Sequence, residues 1–353
     1  MTVGSISVGT TQQGRKFNMS FNKQARRPGA FKPRTAAVTA LSAAFIAIAL
    51  PAAASEYRFN YVMHSNTGQP FWGAVNRGMQ DACKQLNVDC QMLFLDKDGD
   101  IAQEKTNLDA SIAQHVDGIV TTIINDDVMD ESVADAIKQG IPVIAANVDD
   151  SKHGAGNARL SFIGQDLEQA GYDLAAEMAK SFPDDDVQVV VNGVDLAQAW
   201  AAQRTHGIER FLQDYKKIHK GNVTWEVIEA TYDTPTEQSR ISAYAQSNPN
   251  LTAVIDVANA FPAALAMQDL GYAAGKVKVG GFDLVPPVMD AIKSGYQQVA
   301  VDQQPYLQGY LPIVQLFMMK KYNLGPWDVN TGKAMVTKDN IDAIEALSKE
   351  GIR

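Results

Sequence analysis

The sequence contains few of the residues on which covalent and metal chemistry depend. Its 353 residues include two cysteines and five histidines, and the histidines are scattered without the spacing of a metal site. No Walker A loop, HExxH zinc motif or GxSxG nucleophile elbow occurs. Where a dinucleotide-binding protein has a glycine-rich loop, after the first predicted strand, the chain has Gly68-Gln69-Pro70. These absences predict a protein that is not an enzyme and has neither a cofactor nor a metal site.

The chain also lacks an excess of positive charge. It has 31 Lys plus Arg and 40 Asp plus Glu, a net charge of −9, which argues against nucleic-acid binding because phosphates require a basic surface. Residues 1–55 hold seven basic and no acidic residues, so residues 56–353 have 24 basic against 40 acidic residues and a net charge of −16. The length fits two globular domains of roughly 150 residues each.

The basic amino-terminal segment has the pattern of an export signal. The last cation is Arg34, an uncharged run covers Ala36 to Leu50, and small residues follow up to Ser55. This order is typical of a secretory signal peptide, so we predict that residues 1–55 are removed by cleavage near Ala54 or Ser55. The alternative is a membrane anchor, but about 15 apolar residues are fewer than the ~20 that a spanning helix needs.

The two cysteines lie seven residues apart. Cys83 falls at the end of one predicted helix and Cys90 at the start of the next predicted strand. In an oxidising compartment such a pair closes a small loop as a disulfide. A metal site is the alternative, but no histidine or second cysteine pair lies nearby at ligand spacing. We predict a structural disulfide between Cys83 and Cys90.

After residue 55, short apolar runs alternate with amphipathic helical patterns. Strands this apolar have no solvent-facing side, and their alternation with helices predicts an α/β fold with two doubly wound parallel-sheet lobes in tandem. The boundary between the lobes is expected near Phe162–Asp166. The tail from Val336 is predicted to form a capped helix packed on one lobe. The predicted strands are Phe59–Met63, Cys90–Leu95, Gly118–Ile123, Pro142–Ala146, Val187–Val191, Thr224–Ala230, Ala253–Val257, Val277–Phe282 and Gln298–Val301.

Polar and aromatic residues follow the predicted strands. In open α/β sheets ligands bind beyond the carboxyl ends of the strands, so these residues are candidates for a binding site. Asp, Asn, Gln and Arg side chains pair with hydroxyl groups, and aromatic rings pack on the apolar C–H faces of sugars. Ordinary core packing is the alternative for each ring. The candidate segments are 64–72, 125–127, 147–149, 192–204, 232–233, 259, 283 and 302–304.

Six sequence segments, taken in order, resemble a known family. They are GQPFWGAVNRGMQDA, GIPVIAANVD, AAQRTHGIERF, IDVANAFPAALA, VGGFD and VDQQPYLQGY. The chain resembles periplasmic sugar-binding proteins of the ribose/galactose type over essentially all of residues 56–353. The resemblance implies type I lobes that are joined by three strands at a hinge and close over one sugar. It places 56–163 plus about 304–334 in the N-terminal lobe, and 164–303 plus about 335–353 in the C-terminal lobe.

The resemblance also implies the site and the partners. The partners are a monosaccharide or polyol, the permease subunits of an ABC transporter and, as an open alternative, a chemoreceptor. The protein is expected to be a periplasmic monomer. Gln69 stands where ribose binders have Asn, and Val148 where many have a cation, which leaves the sugar open. The implied ligand-binding residues are Phe71, Trp72, Asn147, Arg204, Tyr232, Asn259, Asp283 and Gln303, with His64, Gln69 and Asp127 as further candidates at strand ends.

Other functions use the same two-lobe fold. A sugar-sensing repressor needs a helix-turn-helix headpiece, whereas this chain begins with a predicted signal peptide. A secreted enzyme would turn over a sugar without a transporter. A binding protein for a quorum-signal furanose or a nucleoside differs in the ligand alone, and a chemotaxis ligand receptor differs in the partner. We predict capture of a monosaccharide or polyol for an ABC importer.

Overall fold

The computed structural model describes residues 55–68, 70–231 and 233–353. The predicted signal peptide therefore lies outside the described residues, apart from Ser55. Gln69 and Tyr232, two of the predicted site residues, also lie outside them. None of the described helices is both long enough and apolar enough to cross a membrane.

The first part of the described chain alternates strands and helices as predicted. Each strand in this part pairs in parallel with its neighbours in one sheet. The elements are β1 (Arg58–Val62), α1 (Pro70–Leu86), β2 (Asp89–Leu93), α2 (Ile101–Ala113), β3 (Gly118–Thr121), α3 (Asp126–Lys138), β4 (Val143–Asn147) and β5 (Ser161–Gly164).

The second part repeats this alternation in a second sheet. Its strands again pair in parallel. The elements are α4 (Leu167–Ala179), β6 (Val187–Asn192), α5 (Ala199–Ile218), β7 (Val223–Ile228), α6 (Thr234–Ser247), β8 (Ala253–Asp256), α7 (Phe261–Asp269), β9 (Lys278–Phe282), α8 (Pro286–Ser294) and β10 (Val299–Asp302).

The carboxyl-terminal part contributes to both sheets. Its elements are α9 (Pro305–Tyr322), β11 (Val329–Asn330), β12 (Ala334–Thr337) and α10 (Ile341–Lys349). The first sheet has the order β11-β5-β4-β3-β1-β2, and the second has the order β12-β10-β9-β8-β6-β7, with β12 antiparallel to β10. The chain therefore passes between the sheets three times, through residues 165–166, 303–304 and 331–333.

We call the first sheet with α1–α3 and α9 the first lobe, and the second sheet with α4–α8 and α10 the second lobe. The predicted fold of two doubly wound lobes with a multi-strand hinge is confirmed. The residue limits predicted for each lobe stay a prediction. Several central strands are buried along their whole length, because helices cover both faces of each sheet.

Polar residues at strand ends begin the helices that follow. The side chain of Asp100 accepts a hydrogen bond from the backbone of Gln103, Asn125 from Val128, and Asp166 from Gln169. Such caps satisfy backbone N–H groups that have no partner within the helix. The caps therefore fix where the chain turns from strand to helix at the carboxyl edge of each sheet.

Pairs of glycines bring helices together in each lobe. A Cβ at Gly78 would lie 2.0 Å from the Tyr306 carbonyl oxygen, so α1 and α9 touch backbone to backbone. In the second lobe, a Cβ at Gly171 would lie 2.1 Å from the Arg204 carbonyl oxygen, and one at Gly207 would lie 1.9 Å from that of Glu168. No side chain fits at these distances, so glycine is required there.

The predicted disulfide is present. Cys83 and Cys90 are bonded, with their Cα atoms 6.2 Å apart, and the bond ties the last turn of α1 to β2. The alternative to a disulfide was a metal site at these cysteines. Among the described residues, no cluster of three potential metal ligands occurs.

The carboxyl-terminal prediction was partly wrong. A helix does form at Ile341–Lys349, and Lys293 of α8 contacts Glu345 at 2.5 Å. The tail begins as strand β12, however, because Val336 pairs with Ala300 of β10. The predicted cap is also absent, since Asn340 uses its side chain on the backbone of Thr337 and Met335.

Candidate ligand-binding site

A cavity of about 150 Å³ lies where the carboxyl ends of the two sheets face each other. It is bounded by residues that follow β1, β2, β4, β8, β9 and β10, and by the first turns of α1, α4 and α5. Its lining residues are His64, Ser65, Phe71, Trp72, Asp98, Gly99, Asn147, Val148, Leu167, Gln198, Trp200, Arg204, Asn259, Asp283, Val285 and Gln303.

Most of the predicted site residues meet at this cavity. Asp127 does not, because it is exposed in the first turn of α3 and is not part of the lining. Gln69 and Tyr232 lie outside the described residues. The binding role of each residue stays a prediction. The predicted residues that line the cavity are His64, Phe71, Trp72, Asn147, Arg204, Asn259, Asp283 and Gln303.

The first lobe contributes an aromatic wall. The rings of Phe71 and Trp72 meet edge to face with centroids 5.4 Å apart, and the ring of His64 meets Trp72 at 5.3 Å. Trp72 is 4% exposed and also packs on Tyr61. Trp72 therefore holds the half-buried Phe71 in place, and Phe71 has the more accessible face for the C–H groups of a ligand.

His64 brings an uncharged imidazole to the cavity. Burial lowers the pKa of His64 to about 4, although the nearby Asp98 carboxylate raises it. The ring is therefore neutral at neutral pH, with one nitrogen that donates and one that accepts. Its buried Nδ1 has no hydrogen-bond partner among the described residues, which leaves it available to a ligand hydroxyl.

Asp98 is a site residue that the sequence analysis missed. It follows β2 and accepts hydrogen bonds from the Ser65 hydroxyl and, at 3.4 Å, from the Asn66 backbone N–H. The rule that ligands bind beyond strand ends applies to this loop too. The loop after the second predicted strand was left out of the candidate segments, although that rule would have included it.

Arg204 is held in place from several sides. Its Nε and Nη2 donate to Gln165 Oε1 at 3.1 and 2.7 Å, and its Nη1 donates to the Val257 carbonyl at 2.8 Å. The guanidinium carbon lies 3.9 Å from the centroid of the Phe282 ring. Arg204 is 3% exposed. This fixed geometry suits a planar donor that recognises ligand oxygens.

Asp283 and Gln303 form a hydrogen-bonded pair next to Arg204. Gln303 Nε2 donates to Asp283 Oδ1 at 2.6 Å. Burial raises the pKa of Asp283, while the Arg204 charge and this hydrogen bond lower it. The buried Gln303 Oε1 has no partner among the described residues. An acceptor without a donor at this position suits a ligand hydroxyl.

Gln308 of α9 links the first lobe to two of the passages between the lobes. Its Oε1 accepts from Asn147 Nδ2 at 3.0 Å, and its Nε2 donates to the Gln303 carbonyl at 3.0 Å and to Thr331 Oγ1 at 3.1 Å. Gln308 is fully buried. Asn147 itself has a φ of 66°, a left-handed conformation that asparagine adopts more readily than most residues. Gln308 was missed because α9 was not predicted.

A family model for the periplasmic binding protein domain matches residues 59–322. The chain belongs to this family. As a periplasmic binding protein it has the type I fold that the sequence predicts. Members of the family bind solutes and are not enzymes, which agrees with the lack of catalytic motifs.

Individual relatives of this periplasmic binding protein are similar over most of their length. The xylose/arabinose-binding protein XylF of Sulfolobus acidocaldarius is 27% identical over 300 residues, which cover 81% of this chain and 72% of XylF. A carbohydrate transporter from Acidothermus cellulolyticus 11B, solved with myo-inositol, is 26% identical with a TM-score of 0.71, covering 84% of this chain and 99% of its own. A periplasmic sugar-binding protein from Legionella pneumophila is 26% identical with a TM-score of 0.69. The match covers 78% of this chain and 100% of the Legionella chain.

Proposed function

We propose that the protein captures a monosaccharide or polyol between its lobes in the periplasm and delivers it to the permease subunits of an ABC importer. The observation that carries this proposal is the cavity, in which both lobes supply polar groups and Phe71 supplies an aromatic face. The names of the relatives point the same way, since they include binders of xylose, arabinose and myo-inositol.

An uncharged polyhydroxy ligand fits the chemistry of the cavity. The positive charge that the described lining supplies is Arg204, which already donates to Gln165 and Val257. The unpartnered atoms, His64 Nδ1 and Gln303 Oε1, can each accept a hydroxyl hydrogen. A carboxylate or phosphate would find little unused positive charge here and would meet the Asp283 and Asp98 carboxyl groups.

Ligand capture can drive closure of the lobes. Three short chain passages connect them, which is a hinge geometry that allows rotation. A sugar that contacts both lobes binds the closed form better than the open one, and it shifts the population by that difference in affinity. The closed form presents both lobes together, and this joint surface is the one that we assign to the permease.

The proposal is tested by isothermal titration calorimetry of the mature protein against pentoses, hexoses and alditols. We expect one of them to bind at one site with a Kd that is micromolar or lower. If no sugar or alditol binds and a nucleoside does, the proposed ligand class is wrong and the ligand is a nucleoside. Deletion of the gene should also reduce cellular uptake of the radiolabelled sugar, and unchanged uptake would contradict the delivery step.

A further inference from the structure

The second lobe buries two neighbouring carboxyl groups. Asp256, at the end of β8, is fully buried, and Glu237, in the first turn of α6, is 4% exposed. The two groups lie close enough to change each other's pKa, and Glu237 Oε1 has no hydrogen-bond partner among the described residues. Neither has an ion-pair partner among the described residues, although the Arg204 charge lowers the pKa of Asp256. Neither residue lines the cavity, so the sugar site does not itself explain them.

Asp256 is part of a network that joins three strand ends. Asn192, the last residue of β6, donates from Nδ2 to Asp256 Oδ2 at 2.7 Å. Its Oδ1 accepts from the backbone of Val194 at 3.1 Å and of Ala230 at 2.9 Å. Asp256 Oδ1 accepts from the backbone of Ala258 at 2.7 Å. The loops after β6, β7 and β8 are therefore tied together by two side chains.

The network stabilises an unfavourable backbone conformation at Val194. Val194 has a φ of 57°, which is unfavourable for a β-branched residue. Its N–H is bonded to Asn192 Oδ1. Breaking the network is therefore expected to release this loop, rather than to leave it unchanged.

The three residues that follow Asp256 connect the network to the candidate binding residues. The Val257 carbonyl accepts from Arg204 Nη1 at 2.8 Å, and the Ala258 carbonyl accepts from the Phe282 backbone at 2.6 Å. Asn259 is the next residue and lines the cavity. Asp256 thus supports the loop that holds Arg204 and carries Asn259.

The donors around the pair determine where its proton resides. Asn192 Nδ2 and the Ala258 N–H are both donors, so they favour the ionised form of Asp256. A second ionised carboxylate beside it would be buried without compensation. Burial and the Asp256 charge both raise the pKa of Glu237 above the neutral range. Two donors on Asp256 and an unpartnered Glu237 Oε1 favour Glu237 as the partner that carries the proton and can donate to Asp256.

We propose that Glu237 and Asp256 are positioning residues for sugar binding: Glu237 donates a hydrogen bond to the Asp256 carboxylate, which fixes the loop that orients Arg204 and Asn259. This inference rests on the proposed function for its binding readout. The two residues have different roles, because Glu237 must donate the hydrogen bond and Asp256 must accept it as a carboxylate.

The test compares isosteric variants of the two residues in the full protein. Glu237→Gln keeps a donor toward Asp256, so we expect the Kd for the sugar to change by less than about threefold. Asp256→Asn loses the charged acceptor and places an amide donor against donors, so we expect affinity to fall by about tenfold or more. Equal losses in both variants, or a larger loss in Glu237→Gln, would overturn the assignment.

A matched control is available in the first lobe. Glu104 is also fully buried, accepts from the Thr122 hydroxyl and lies outside the cavity lining. Glu104→Gln should leave the Kd unchanged, and thermal unfolding of each variant confirms that it folds. A loss of affinity in Glu104→Gln as large as that in Asp256→Asn would show a general effect of buried carboxyl groups and would contradict the proposal.

A second measurement separates this inference from the proposed function. Xylose, arabinose and myo-inositol serve as probes, and amide hydrogen exchange is measured on the ligand-free protein. The Val194, Ala230 and Ala258 amides should lose protection in Asp256→Asn and keep it in Glu237→Gln. If no probe binds the unaltered protein but this exchange pattern holds, the choice of ligand fails and the network stands. If the exchange pattern is absent, the network is refuted whatever binds.

Discussion

The two lobes face the same cavity with different chemistry. The first lobe presents Phe71, Trp72 and a neutral His64, whereas the second presents the Arg204 guanidinium beside Asp283. Both lobes are built alike, with a predominantly parallel sheet and a helix pair in backbone contact at glycines. The same architecture therefore supports an aromatic half-site at Phe71 and Trp72 and a charged half-site at Arg204, although Asp98 of the first lobe and Trp200 of the second also line the cavity.

The lobes also differ in how they bury acids. In the first lobe, Glu104 stands alone with the Thr122 hydroxyl, and burial raises its pKa to about 8. In the second lobe, Glu237 and Asp256 share a network with the loops of the binding site. In our interpretation, the buried pair of Glu237 and Asp256 positions the binding residues, whereas Glu104 affects the stability of the fold alone.

The largest expected effect is on the charged half-site. Arg204→Ala should weaken sugar binding by about 100-fold, because it removes a preorganised charged donor and leaves Asp283 without its nearby positive charge. Calorimetry measures the change. Arg210, on the same helix but half-exposed and paired with Glu168, is the matched control, and Arg210→Ala should bind normally. If the affinity of Arg204→Ala is unchanged, the charged half-site does not contribute to sugar binding as proposed.

The second prediction concerns pH and the first lobe. Because the folded protein keeps a proton on Glu104 that the unfolded chain releases above about 4.5, its contribution to stability is complete below that pH and is lost as the pH rises through about 8. The free energy of unfolding should fall by on the order of 1 kcal/mol per pH unit in this window. Urea denaturation from pH 5 to 8.5 should show a smaller slope in Glu104→Gln. Identical slopes in the two proteins would show that Glu104 titrates normally.

The third prediction uses the glycine contacts. Gly207→Ala and Gly78→Ala should each destabilise the fold by about 2 kcal/mol, since a methyl group must push two helices apart. Gly207 lies one turn from Arg204 on α5, so its substitution should also weaken sugar binding severalfold. Gly78→Ala should change affinity less. Denaturation and calorimetry together test this, and a reversed order of the two affinities would count against the charged half-site as the dominant one.

The smallest expected effect is on the aromatic half-site. Phe71→Leu should weaken binding by about threefold to tenfold, because the leucine retains apolar contact but loses the flat ring face. Phe71→Tyr keeps the ring and is the matched control, with an expected affinity close to that of the unaltered protein. A loss in Phe71→Leu as large as that in Arg204→Ala would mean that stacking, rather than charge, dominates recognition.

Much of the fold and site could be predicted because the signals are local. The strand predicted at Ala253–Val257 forms at Ala253–Asp256, and the strand predicted at Gly118–Ile123 forms at Gly118–Thr121. Asn259 and Asp283 were found because they follow apolar strands directly. In contrast, α9 was not predicted, since Gly309 and Pro312 interrupt its helical pattern, and proline inside a helix normally ends it.

Residues that act through distant partners were beyond sequence reasoning. Gln308 contacts Asn147 and Thr331, which are 161 and 23 residues away. Glu237 and Asp256 look like ordinary polar residues in a helix and at a strand end, and their significance depends on meeting inside the core. Asp127, in turn, follows a predicted strand like the other candidates, but it is exposed in the first turn of α3 and does not line the cavity.

The amino-acid sequence by itself determined the order of strands and helices, the family, the disulfide pair and the strand-end residues from which the site is drawn. These properties follow from apolar periodicity and from residue types at fixed offsets, which are local along the chain. The tertiary structure alone decided which of those residues share a cavity, which polar atoms lack partners, and which acids are buried next to each other. Those properties depend on burial and on distances between residues far apart in the chain, because the energy of a charge or a hydrogen bond is set by its surroundings.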